Sequence, residues 1–307
     1  MLPSYLNLPE GELESRAAES REELTSCGLC PRTCKVNRND GEKGYCAVSK
    51  RARVASYGPH PGEERPLRGT RGSGTIFFAG CNLGCVYCQN YDISSGDGGR
   101  EVNREELKNM MLRLQEQGCP NVNLVSPSHV VPQILQSLSR AAAEGLSLPL
   151  VYNTGGYDSL ETLKLLDGIV DIYMPDMKYQ DTDVAERLSA ASDYPEVNRA
   201  ALKEMHRQVG NLKTDNNGVA EQGLLVRHLV LPGQLAGTIE AMNFLAENIS
   251  TDTYINIMAQ YYPAHKAAEH PPLNRRVTRK EIHQAVKAAH EAGLHRIDGF
   301  GRHYLQQ

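Results

Sequence analysis

Three cysteines within eight residues, Cys81, Cys85 and Cys88, follow an apolar run, with glycines at 80 and 84. Soft thiolate donors at this spacing let one short loop wrap a single metal centre, and the glycines free the backbone to curl around it. An iron–sulfur cube takes four ligands, so three cysteines leave one iron open to an outside ligand. An open position suggests chemistry, by the logic that separates catalytic from structural zinc. A second set, Cys27, Cys30, Cys34 and Cys46, follows the pattern C-x2-C-x3-C-x11-C. Four thiols are enough to close a tetrahedral site or to ligate a second cube fully. Thiolate ligation suits zinc and iron–sulfur alike, so the sequence leaves this second metal open between them. The eighth cysteine, Cys119 beside Pro120, reads as a small core residue.

The elements that must position these residues are legible as repeats. Short apolar runs at 75–79, 121–126, 148–153, 169–174, 223–231 and 254–258 are rich in Val, Ile, Leu, Phe or Tyr and bounded by Gly, Pro or Asn, the signature of strands. Helix-period segments lie between them, at 104–117, 131–144, 159–166, within 182–209, and at 238–247 and 278–292. In the first, Leu107, Met110, Met111 and Leu114 form an apolar stripe of core residues. Six such units imply a parallel sheet. Six is fewer than the eight of a closed barrel, so the expectation is an α/β fold, a partial (β/α)6 TIM-like barrel, with a doubly wound sheet as the other arrangement. In either, chemistry belongs at the C-terminal strand ends. Residues 1–70 do not fit the repeat. They are expected to form a small N-terminal cysteine-rich module tied down by its own metal, followed by the barrel at 71–307. Within the module, the stretch Tyr57-Gly-Pro-His-Pro-Gly62 is expected to be irregular.

The run Thr75-Ile-Phe-Phe-Ala-Gly-Cys81-Asn-Leu-Gly-Cys85-Val-Tyr-Cys88 resembles the signature of radical S-adenosylmethionine (SAM) enzymes, C-x3-C-x2-C with an aromatic residue before the last cysteine. The wider chain, from about Cys27 to the C-terminus, is similar to the pyruvate formate-lyase activating enzyme-like branch, in a subgroup with an added N-terminal four-cysteine motif. The resemblance implies an oxidoreductase with a [4Fe–4S] cluster whose open iron is chelated by SAM. Reductive cleavage of the sulfonium then yields methionine and a 5′-deoxyadenosyl radical that abstracts hydrogen from a protein or small-molecule substrate. It also implies a low-potential donor such as ferredoxin or flavodoxin, and a glycyl radical enzyme as one candidate protein substrate.

Matched residue by residue, the resemblance implies that Tyr87 stacks on the SAM adenine, with core packing as its other reading. It also implies that Asp176 shapes the SAM carboxylate environment while Lys178 and Arg227 contact SAM, with a structural Asp176–Lys178 bridge as the alternative for that pair. Asn153 and Thr154, at the third strand end, are further candidate cofactor contacts. Where relatives often carry Gly-Gly-Glu for the SAM amino group, this chain has Ser126-Pro-Ser-His129, with Ser126 and Ser128 as candidates and Ser128 also a candidate helix N-cap. The Asp-Gly-Pro-Gly stretch of activases is replaced by Gly69-Thr-Arg-Gly-Ser-Gly74. His129 reads as an ordinary first-turn histidine, and Gln260, Tyr261 and Tyr262 follow the sixth strand without an assigned role.

Composition narrows the classes further. The 307 residues are 40% hydrophobic and 23% charged, ordinary for a soluble domain. No apolar run reaches the roughly 18–20 residues that span a bilayer, and the acidic N-terminus lacks a signal-peptide layout. The expectation is a cytoplasmic protein with no membrane partner. A net charge of −4 gives no reason to expect nucleic acid. Residues 31–71 nevertheless carry ten Lys/Arg against four Asp/Glu. This reads as a solvated basic segment, the alternative being a docking surface for an acidic electron donor. In a reducing cytosol, clustered cysteines point to metal before disulfide. From another functional class, the competing reading is a non-catalytic iron–sulfur or zinc protein, an electron carrier or binding module, with full ligation and no SAM binding.

Overall fold

The computed structural model describes residues 2–95 and 98–299. Met1, residues 96–97 and residues 300–307, parts of the two expected domains, lie outside the described residues. The strands are β1 (Ala52–His60), β2 (Ser73–Phe78), β3 (Arg100–Val102), β4 (Val122–Val125), β5 (Leu150–Thr154), β6 (Ile172–Pro175), β7 (Lys213–Thr214), β8 (Ala220–Leu229), β9 (Tyr254–Met258) and β10 (Ile297–Gly299). The helices are α1 (Glu12–Glu22), α2 (Arg65–Arg68), α3 (Tyr91–Ser94), α4 (Arg104–Glu116), α5 (Val131–Ala143), α6 (Leu160–Leu165), α7 (Thr182–Ser189), α8 (Tyr194–Val209), α9 (Thr238–Asn248) and α10 (Arg279–Glu291).

All six expected strands are present as β2, β4, β5, β6, β8 and β9, and they pair in parallel in that order. A doubly wound sheet would reverse its strand order partway; here each unit is added beside the last, as in a barrel. The short strand β10 adds a seventh parallel member after β9. At the other edge β1 and β3 run antiparallel. The barrel is therefore partial, with edges at β10 and β3.

Strand runs buried on both faces read as continuous apolar sequence, yet their side chains still alternate. Leu150, Tyr152, Tyr173, Leu224, Val226, Ile255 and Ile257 join the large core under the helices. Val151, Ile172, Met174, Leu225 and Tyr254 point to the other face and pack with Leu67 from α2. The helices start where local chemistry caps them, as in the reciprocal Asn103–Glu106 box of α4 and Thr278–Glu281 box of α10. The long helical stretch expected within 182–209 is two helices, α7 and α8, separated by Ala190 in the left-handed region.

One expectation is corrected. The stretch from Tyr57 is strand as far as His60, with Tyr57, Gly58 and Pro59 opposite Ile76, Thr75 and Gly74. Its Gly58 and Pro59 are tolerated because β1 lies near the sheet edge, where a lost ladder donor costs little. The N-terminal segment is also bound to the barrel. Helix α1 packs on α5, and the Tyr5 hydroxyl donates to the carbonyls of Leu146 (3.2 Å) and Leu148 (3.0 Å).

Candidate active site

Cys81, Cys85 and Cys88 sit in the loop that leaves β2, and the C-terminus of α7 holds that loop in place. A helix ends with unpaired carbonyls. Here the carbonyl of Leu188 accepts from Val86 N–H (2.9 Å), and that of Ser189 accepts from Gly84 N–H (3.3 Å). The loop thus completes the helix and the helix shapes the loop. Glycine is required at position 80. Its φ is +85°, and a Cβ there would stand 2.4 Å from the Cys46 carbonyl oxygen.

Each of two sulfurs in the loop accepts a hydrogen bond. Leu83 N–H points at Cys81 Sγ (3.4 Å) and the buried Ser189 hydroxyl donates to Cys85 Sγ (3.0 Å). Ser189 is in turn 2.7 Å from the Tyr179 hydroxyl, which is 2.6 Å from that of Tyr87. Tyr87 is buried, its ring edge-on to Tyr179 and Tyr261. Burial pushes the Cys81 thiol up to about 12, helped by charge at Cys85 and Cys88. Burial also raises Cys85, while the Lys178 ammonium pulls it back. A thiolate here needs a cationic centre beside it.

A charged network lies next to the loop. Asp176, just past β6, accepts from Lys178 Nζ (2.6 Å) and from Arg227 Nε on β8 (2.8 Å). Arg227 Nη2 also donates to Asn153 Oδ1 on β5 (2.8 Å). Burial works against charge on Asp176, but Arg227 and Lys178 outweigh it and hold the carboxyl below its ordinary value. For Lys178, burial is likewise outweighed, by Asp176 and then Cys85, so its pKa lies above the ordinary lysine value.

The network contains two carboxylates that the sequence analysis missed. Glu64 comes within 3.8 Å of Arg227 Nη1 and accepts from Asn256 Nδ2 on β9 (3.2 Å). Glu63 lies against Glu64, Arg227 and Asn123 on β4; burial, then the Glu64 charge, push it up to about 7. Residues from β4, β5, β6, β8 and β9 meet around this pair, so the inner face of the sheet curls around it. The only sequence cue was an acidic pair in an otherwise basic segment.

Of the predicted site residues, Asn153, Asp176, Lys178 and Arg227 come together, with Lys178 reaching toward Cys85. Thr154 alternates to the other side of β5 and donates to Asp158 (2.7 Å), a buried carboxylate that also accepts from Ser128 (2.6 Å) and Tyr152 (3.0 Å). Ser128 is not a helix cap; α5 begins at Val131 without a side-chain cap. His129 is not in the first turn of α5 but two residues before it. It is buried, its Nε2–H donating to the Ala79 carbonyl (3.0 Å), and burial lowers its pKa to about 4. Cys119 is in the core, as expected.

The four N-terminal cysteines line one small cavity together with Arg38, Tyr45 and His129. Their loop lies against the Cys81 loop. Arg32, between Cys30 and Cys34, donates to the carbonyls of Asn82 (2.9 Å), Ser189 (3.2 Å) and Ala190. Among the described residues, no group of three or more His, Cys, Asp or Glu side chains is drawn in to the spacing of a single metal ion.

A family profile, the radical SAM superfamily, matches residues 75–216, which begin inside β2 and take in the three-cysteine loop, Asn153, Asp176 and Lys178. Residues 75–216 of this chain are a radical SAM superfamily domain. Among curated proteins it is similar to the uncharacterized protein MJ0674 of Methanocaldococcus jannaschii, with 30% identity over 92% of this chain and 79% of that one. The uncharacterized protein MJ0808 of the same organism is 24% identical over 80% of this chain and 73% of its own length. Solved structures that align with it include a radical SAM methyltransferase from Sphaerobacter thermophilus (15% identity, TM-score 0.48, 72% of this chain and 64% of that one). Streptococcus suis SuiB bound to precursor peptide SuiA also aligns (11% identity, TM-score 0.49, 73% and 49%). The chain thus spans about half to two thirds of these solved proteins.

That domain implies a [4Fe–4S] cluster, SAM and a reductant. The residues fit the cluster. Three thiols leave one loop, two of their sulfurs already accept hydrogen bonds, and a lysine ammonium stands beside them. Among the described residues no helix is long and apolar enough to cross a membrane.

Proposed function

We propose that Cys81, Cys85 and Cys88 hold a [4Fe–4S] cluster with one iron left for SAM, and that the protein abstracts hydrogen from a protein or small-molecule substrate. When bound, the reduced cluster would supply one electron to the SAM sulfonium, the chemistry that yields methionine and a 5′-deoxyadenosyl radical. The observation that carries this reading is the three-thiol loop braced by α7, with Lys178 beside it and tied through Asp176 to Arg227.

The chain's own residues orient and shield. Arg227 is a cation at any working pH, and its planar fork suits a carboxylate. Asp176 and Asn153 hold that fork in one orientation, so Arg227 and Lys178 are assigned to SAM, with Asp176 shaping the carboxylate side. Tyr87, braced by Tyr179 and Tyr261, is assigned to the adenine. Thr154 acts through Asp158, which fixes the end of β5. The buried tyrosines exclude water from the loop.

We place the protein in the pyruvate formate-lyase activating enzyme-like branch, in the cytoplasm, with residues 1–70 as its cysteine-rich module and 71–307 as its barrel. A ferredoxin or flavodoxin would supply the electron, the basic residues of 31–71 offering an acidic carrier a surface. A glycyl radical enzyme is one candidate substrate.

The test is to titrate SAM into anaerobically reconstituted full-length protein while recording the EPR spectrum of the reduced cluster. A SAM-dependent change in the signal, with methionine and 5′-deoxyadenosine released, is expected. A cluster indifferent to SAM, with no products, would leave the non-catalytic metal protein instead. Repeating product formation with candidate protein partners, and locating the radical, separates glycyl-radical activation from other substrates.

A further inference from the structure

Arg38 carries its charge in a place that offers no carboxylate. Its side chain is fully buried, and among the described residues no Asp or Glu pairs with it. Nε and Nη2 donate to the Ser49 carbonyl (3.0 and 2.8 Å) and Nη1 to that of His129 (2.7 Å). These bonds engage all three nitrogens but leave the charge uncompensated, and an isolated buried ion is costly. What faces the guanidinium is sulfur. Nη1 is 4.0 Å from Cys27 Sγ, and Arg38 shares a small cavity with Cys27, Cys30, Cys34 and Cys46.

We propose that these four cysteines bind a second metal centre, an all-thiolate zinc or iron–sulfur site whose excess negative charge is balanced by Arg38. Four thiolates around a divalent ion or a cuboidal cluster leave the centre anionic, the counter-charge that this buried cation lacks. Soft donors alone exclude magnesium and calcium.

The backbone around the sulfurs is arranged for the same purpose. Tyr45 N–H donates to Cys34 Sγ (3.4 Å), a bond that stabilises a thiolate. A Cβ at Gly44 would lie 2.8 Å from that sulfur, so only glycine lets the chain close there. Thr33 (φ +39°), Lys35 (φ +59°) and Ala47 (φ +59°) adopt the left-handed region beside Cys34 and Cys46. Strain of this kind persists where something holds the loop. No three of the sulfurs yet stand at single-ion spacing, so binding requires the loop to tighten on its metal.

The consequence reaches the other cysteine site. Arg32, inside this loop, holds the Asn82, Ser189 and Ala190 carbonyls, and the Cys46 carbonyl abuts Gly80. A metal at the N-terminal cysteines therefore supports the segment that presents Cys81 and Cys85.

The experiment uses the full chain with Cys81, Cys85 and Cys88 all replaced by alanine, so that no cluster forms in the first loop. Metal content and absorbance are measured after anaerobic purification and reconstitution. Retained zinc without colour supports the zinc form, and retained iron and sulfide with brown absorbance supports the iron–sulfur form. Adding Cys30→Ala should abolish either. In the otherwise unchanged protein, Arg38→Met should weaken metal affinity about 10–100-fold, as for other residues that orient metal ligands, with Arg38→Lys recovering part of the loss. A triple variant free of zinc and iron, or metal undiminished by Cys30→Ala, overturns the site. Affinity unchanged in Arg38→Met overturns the role of Arg38. Each readout is independent of SAM chemistry, so failure here is distinguishable from failure of the first cluster.

Discussion

The two cysteine regions touch, yet they handle buried charge in opposite ways. Around Cys27, Cys30, Cys34 and Cys46 there is one buried cation, Arg38, and no acid pairs with it among the described residues. Beside Cys81, Cys85 and Cys88 the cations Lys178 and Arg227 are already matched by Asp176 and Glu64, with Glu63 close by. The first arrangement lacks only an anionic centre and is balanced once that centre is present. The second is balanced without one, and its members can re-pair when a charged ligand enters. A region that needs one fixed partner suits structural support. A region with exchangeable partners suits binding and release, which is what a site consuming SAM requires.

The largest effect should come from breaking the balance in the barrel. Asp176→Asn leaves Lys178 and Arg227 largely buried with their shared anion gone. Removing one member of a buried pair costs more than the pair is worth, because the remaining charge is stranded. We expect a loss of about 3 kcal/mol in unfolding free energy, the low end for buried pairs because the site keeps some exposure. Denaturant titration at neutral pH measures it. A loss below about 1 kcal/mol, as for surface pairs, would mean that the network is solvated and the contrast with Arg38 is overstated.

A smaller effect, of opposite sign, is expected at Glu63. Its carboxyl is raised from 4.5 to about 7 in the folded chain, first by burial and then by Glu64. A carboxyl raised on folding favours its protonated form in the native state. It costs nothing below about pH 4.5, costs progressively more as pH rises through the interval to 7, and costs its full amount above that. Glu63→Gln should therefore stabilise the protein at pH 8 by about 2 kcal/mol, below the ~3 kcal/mol of the whole shift because Glu63 keeps some exposure to screening solvent, with the gain gone by pH 4.5. Thermal unfolding of both proteins across this range is the measurement. A gain independent of pH would place the effect in packing and leave Glu63 an ordinary anion.

These two predictions also mark where the sequence stopped being readable. The three-cysteine loop was legible because its ligands are local, held within eight residues. The six parallel strands were legible because burial on both faces demands continuous apolar runs. Glu63 and Glu64 were not, since nothing in a Pro/Gly-rich neighbourhood tells a solvated glutamate from one that a later strand pairing swings beneath Arg227. The strand from Ala52 to His60 was obscured for a related reason, because its one proline, Pro59, is permitted only by its place near the sheet edge. Asp176 and Lys178 were found together because they are two residues apart. Their link to Asn153 depends on barrel curvature, which no spacing encodes.

The finest distinction between the two regions is which group donates directly to a sulfur, a guanidinium at Cys27 and a hydroxyl at Cys85. Each hydroxyl in the row Tyr87, Tyr179, Ser189 has one proton to give. Tyr179 donates to the Tyr87 hydroxyl and lies 2.7 Å from Ser189 Oγ, which donates to Cys85 Sγ. The row holds Ser189 beside the sulfur. A donor to a cluster sulfur favours the more negative, reduced state and so raises the reduction potential. Ser189→Ala, in reconstituted protein with full iron, should lower the reduced fraction about tenfold at a fixed solution potential, a shift of ~59 mV for one electron. Ser189→Thr should restore it, and Tyr179→Phe should give a partial shift. Potentiometric titration of the SAM-sensitive EPR signal reads all three. An unchanged potential in both Ser189→Ala and Tyr179→Phe would reduce Ser189 to the residue that closes α7 and leave Lys178 as the group that tunes Cys85.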